Sequence, residues 1–144
     1  MLEFHFYIED EEETITGYEL GRVKLKSYKC IYELNDSKKY FMVFLTIANL
    51  LDSIYLLYKY KGRSKTVICD DSSFYLEFIM NKNDTITFYA LDTHIGNFNK
   101  NYFLNRLYND CRCFCKKYVN ELNFSNSVKS DIESSMKKVE LLIR

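Results

Sequence analysis

The 144-residue chain predicts an α+β fold, an antiparallel β-sheet of about five to six strands packed by two to three helices. Three observations carry this. Segments that alternate apolar and polar residues recur from the N-terminus to the region of Asp92. The stretch Asn101 to Leu122 instead spaces its apolar residues as one face of a helix. The order strand–strand–strand–helix–strands–helix–helix also lacks the strict alternation of a doubly wound parallel sheet. Proline is absent, glycine is scarce and no repeat or compositional break occurs, so residues 1–144 read as a single domain.

Leu2, Phe4, Phe6 and Ile8 alternate with Glu3, His5 and Tyr7, as in a half-buried strand. The acids Glu9, Asp10, Glu11, Glu12 and Glu13 follow and must sit in water. Arg22 to Leu34 reads as a long second strand. Its apolar phase slips between Leu25 and Tyr28, which a bulge near Ser27 would reconcile. Lys39 to Leu45 is apolar on both faces and reads as a short central strand, since Tyr40, Phe41, Val43 and Phe44 are strand formers. Thr46 then stands at an N-cap position. The helix behind it carries Ile47, Leu50, Leu51, Ile54, Leu57 and Tyr58 on one face and ends near Gly62. A single helix from Ser37 to Lys59 is the alternative.

Thr66 to Cys69 reads as a strand entering the turn Asp70-Asp71-Ser72-Ser73. Phe74, Leu76, Phe78 and Met80 alternate up to the turn Asn81–Asp84, and Ile86, Phe88 and Ala90 alternate beyond it, which predicts a hairpin. Its Phe74/Leu76/Phe78 face is expected to pack against the helix of Asn101–Leu122, whose stripe runs from Leu104 through Leu107, Cys111, Phe114 and Cys115 to Leu122 over about six turns. A last helix, Ser127 to Leu142, has a narrower stripe of Val128, Ile132, Met136 and Val139. It either caps the core or offers a face for a homodimer.

Twenty basic and twenty acidic residues cancel, so no overall field steers the chain to nucleic acid or an anionic membrane, and neither is expected as a partner. The N-terminus has no signal-peptide pattern, no stretch is long enough to span a bilayer, and the five cysteines are odd in number. A cytoplasmic protein with reduced thiols is expected. The sequence predicts no metal site and no cofactor. On a helix Cys111 and Cys115 share a face while Cys113 points away, and His5 and His94 are not spaced to complete a zinc tetrahedron. No nucleophile–base signature marks catalytic residues. An enzyme is therefore not expected; a pocket near His94, with Asp92, is the alternative. Gly62-Arg63-Ser64-Lys65-Thr66 lacks the leading glycine of a phosphate loop and runs into a strand. The remaining candidate is a docking surface for a basic partner, made by Glu9–Glu13, Asp70 and Asp71 with Tyr18 as an aromatic anchor and Tyr7 as a second.

The run FLTIANLLDSIYLLYKY, the hairpin DDSSFYLEF…TITFYAL and the helix bearing Phe103, Leu107 and Leu122 resemble, from Tyr40 onward, small bacterial immunity proteins. These belong to polymorphic-toxin and contact-dependent growth inhibition systems. The resemblance implies a cytoplasmic protein that binds a cognate toxin C-terminal domain, such as a nuclease, and blocks its active site. It carries over no catalytic residue.

Overall fold

The computed structural model describes residues 1–10 and 14–143. Among these residues, eight strands and three α-helices make an α+β fold, with the strands divided between two antiparallel four-stranded sheets. The first sheet holds β1 (Leu2–Ile8), β2 (Leu20–Ser27), β3 (Ile31–Glu33) and β4 (Phe41–Met42). β2 is central: β1 pairs along one edge, while β3 and β4 share the other. The second sheet is a meander of β5 (Ser64–Ile68), β6 (Tyr75–Met80), β7 (Thr85–Ala90) and β8 (Thr93–Asn99). The helices are α1 (Val43–Lys59), α2 (Lys100–Lys116) and α3 (Asn126–Ile143).

Between the sheets, Phe103 at the start of α2 is fully buried among Phe4 of β1, Phe78 of β6, Phe88 of β7 and Phe98 of β8, with ring centroids 5.6–6.1 Å away. The hairpin face thus meets α2 through Phe103 in its first turn. Phe74, expected on the same helix, stacks on Phe41 of β4 at 5.8 Å instead. α3 lies along α1, burying Val128, Ile132, Ser135 and Val139. Buried side chains from both sheets and all three helices form one contiguous cluster.

Four local expectations are corrected. Ser27 to Cys30 is a tight reversal, not a bulge: the Ser27 N–H donates to the Cys30 carbonyl, and Lys26 pairs with Ile31. The apparent phase slip is the chain turning back on itself. The strand expected through Leu45 stops at Met42, because Val43 and Phe44 bury completely as the first turn of α1. Thr46 therefore lies inside the helix, where its hydroxyl accepts from the Asp70 N–H at 2.9 Å. α2 ends at Lys116 rather than Leu122, which is 96% exposed; turns from Lys117 onward bring Tyr118 and Phe124 onto Phe44 at 5.7 and 5.0 Å.

Both sheets close an edge with side chains. On β1, the Leu2 N–H donates to the Tyr102 hydroxyl and the Phe4 N–H to the Asp110 carboxylate, at 2.9 and 2.8 Å. Arg106 holds Asp110 from one turn earlier on α2. On β8, the Ser27 hydroxyl donates to the Ile95 carbonyl at 2.7 Å, and the Tyr28 hydroxyl accepts from the Asn97 N–H at 3.0 Å. The β2–β3 turn thereby clasps the second sheet. Gly96 permits the approach, since a Cβ there would lie 2.8 Å from Phe98 and 3.0 Å from Tyr28.

Candidate functional site: an acidic end

The acidic residues singled out in the sequence come from separate segments, and backbone hydrogen bonds set them side by side. The Glu9 N–H donates to the Leu20 carbonyl, Leu20 pairs with Met42, and the Met42 N–H donates to the Asp70 carbonyl at 3.0 Å. Glu9 and Asp70 are therefore three strand spacings apart, each about 4.8 Å. Asp71 follows in the turn after Asp70 with a left-handed backbone, φ 60°. Glu11, Glu12 and Glu13 lie outside the described residues.

The chain between the acidic run and β2 is folded by its own polar groups. The Glu19 carboxylate accepts from the Thr16 and Gly17 N–H groups at 2.7 and 2.8 Å, so the loop is built around an acid that still faces solvent. The Thr16 carbonyl accepts from the Ser125 N–H at 2.7 Å, which docks the loop on the start of α3. Gly17, at φ 103°, lies against Phe124 and Val128, where a Cβ would approach to 3.3 Å. Tyr18 next to it is 48% exposed, with its hydroxyl 3.3 Å from that of Ser125. Hydrogen bonds from Ser125 and Ser127 lower the phenol's pKa, while the nearby Asp131 carboxylate opposes them.

Two shallow depressions result. One, of about 440 Å³, is lined by Glu9, Asp10, Thr14, Thr16, Glu19 and Leu20. The other, of about 370 Å³, lies between α1 and α3 and includes Asp52, Asp70, Asp131 and Lys138. Its single cation is engaged by Asp52 at 3.3 Å. Burial raises the pKa of the Asp70 carboxyl. Glu9, Asp10, Tyr18 and Asp70 thus share one end of the molecule. Glu19, Asp52 and Asp131 join them there, and only the fold reveals Asp52 and Asp131, which stand alone in helical sequence. Tyr7 is differently placed, with Arg22 stacked 4.6 Å above its ring.

His94, the residue of the alternative pocket, is on β8. Nδ1 contacts the Lys29 amine and Nε2 lies 3.2 Å from Asn97 Oδ1, so both ring nitrogens are engaged. Asp92 is 3.4 Å from the Tyr75 hydroxyl. Neither arrangement leaves a free base beside a nucleophile. Of the α2 cysteines, Cys111 and Cys115 are buried and Cys113 is exposed, and burial pushes the Cys115 thiol up to about 12. No helix among the described residues is long and apolar enough to cross a membrane. Comparison with known proteins finds no matching family model, curated protein or solved structure, so the chemistry of this end rests on its own residues.

Proposed function

We propose that the protein is a cytoplasmic immunity protein that binds a cognate toxin C-terminal domain and blocks its active site through the acidic end. The toxin class that fits is a nuclease, whose cleft must be basic to hold a phosphate backbone. One observation supports this reading above the others: Glu9, Asp10 and Glu19 line one depression and Asp70 with Asp52 and Asp131 a second, while the exposed Tyr18 follows Gly17 in the loop that leads into β2. Carboxylates so placed meet the cations of such a cleft, speed encounter and fix register, while a central aromatic supplies the anchor. The inhibitor needs no catalytic group, cofactor or metal.

The test is co-expression with the product of the gene immediately upstream. Rescue of growth and co-purification at fixed stoichiometry are expected. The double variant Glu9→Lys, Asp10→Lys should bind that product at least tenfold more weakly, with unchanged circular dichroism. Unchanged affinity, or an upstream product that is not toxic, would sink the proposal.

A further inference from the structure

The balanced net charge conceals a separation by end. α1 begins at the acidic end, where the Val43 N–H donates to the Glu19 carbonyl. Seventeen residues later, about 25 Å along the axis, it ends in the segment Lys59-Tyr60-Lys61-Gly62-Arg63-Ser64-Lys65. Every second residue there is a cation, and none is acidic. Lys82 joins Arg63 across a depression of about 460 Å³ that also holds Glu77. The ion pairs among the described residues all lie elsewhere, and Glu77 is the one carboxylate lining that depression.

Aromatic rings are interleaved with the charge. The Lys59 amine lies 5.3 and 5.5 Å from the ring centres of Tyr55 and Tyr60, and Lys100 lies 5.7 Å from that of Tyr58. Tyr60 is 68% exposed. Cations at the C-terminus of α1 offset its dipole, which accounts for Lys59 and Lys61. It does not account for Arg63, Lys65 and Lys82, nor for the uncovered Tyr60 ring beside Lys59.

We propose that this basic end binds single-stranded nucleic acid, its cations on the phosphates and Tyr60 as a stacking platform for a base. Unpaired cations beside an exposed aromatic are the chemistry by which a flexible strand is held without sequence preference. The inference is independent of the inhibitor reading, since it concerns the opposite end of α1 and other residues.

The experiment is fluorescence anisotropy of a labelled oligothymidylate of twelve nucleotides, titrated with the full chain. Saturable binding at low salt is expected, with log K falling against log salt at a slope of about −0.7 for each phosphate contacted. The triple variant Arg63→Glu, Lys65→Glu, Lys82→Glu should lose at least tenfold in affinity. Tyr60→Ala should lose roughly tenfold at an unchanged salt slope, as removal of a stacking contact does. Absence of binding at low salt overturns the proposal, as does equal binding by the folded triple variant. So does light scattering that finds concentration-dependent assembly, lost in the triple variant, without oligonucleotide binding. The basic end would then meet the acidic end of a second copy.

Discussion

Phe103 is the side chain through which the two sheets feel each other. Its ring touches phenylalanines from β1, β6, β7 and β8, and no solvent reaches it. Phe103→Ala should cost about 3–5 kcal/mol, the usual range for emptying a packed aromatic site, read from the shift of a urea midpoint at constant m. A loss below about 1 kcal/mol would mean that the site collapses freely and is not the junction described. The sequence stripe begins at Leu104, yet Phe103 stands four residues before Leu107 and eight before Cys111, on the same helical face. Wedged between two sheets, the first turn of α2 buries neighbouring positions on two sides. Glu19 is a second residue whose role escaped its sequence. It counts there as one more acid, yet its carboxylate holds the turn that presents Tyr18.

At the scale of elements, the strongly periodic pieces were readable: β1, the β6–β7 hairpin, most of α1 and α2, and α3. The misread pieces are those where tertiary burial overrides local preference. Val43 and Phe44 favour strands intrinsically but bury completely as helix. β8 was missed because it is rich in Asn, Thr and Gly, and because a register shift opposite Phe88 and Tyr89 breaks its alternation. The acidic end was half legible: the charges could be counted, but not the backbone row that joins Glu9 to Asp70. Edge closure gives the prediction at this scale. Asp110→Ala removes the acceptor of the Phe4 N–H and the partner of Arg106 together, and should cost about 1–3 kcal/mol. Asp110→Asn, which can still accept from Phe4, should recover part of that. Equal loss in both variants, by the same urea titration, would assign the effect to the Arg106 pair alone.

For the molecule as a whole, buried thiols contribute to the alkaline limit, together with the Tyr108 phenol, which burial and Glu140 push up to about 12. Burial raises the Cys69 and Cys115 thiols from an ordinary 9.0 to about 12, and raises Cys111 well above its ordinary value. Between pH 9 and 12 the unfolded chain therefore binds fewer protons than the native one. The stabilisation is complete below pH 9 and is lost as pH rises through that window, by up to about 1.4 kcal/mol per pH unit for each thiol. Thermal unfolding at pH 8, 9, 10 and 11 should show a falling Tm, reduced in slope by Cys69→Ala and Cys115→Ala. A Tm flat across that range would contradict the burial of these groups.

The caps on β1 also fix an order of events during synthesis. β1 and β2 can pair as soon as both have left the ribosome, yet the groups that close the outer edge of β1, Tyr102 and Asp110, lie more than a hundred residues along the chain. At roughly 5–20 residues per second, the nascent N-terminal hairpin waits about 4–17 s with backbone donors bare to any neighbouring strand. The acidic run just after β1 puts like charge beside that bare edge, which opposes pairing between nascent chains before the protein has a fold at all.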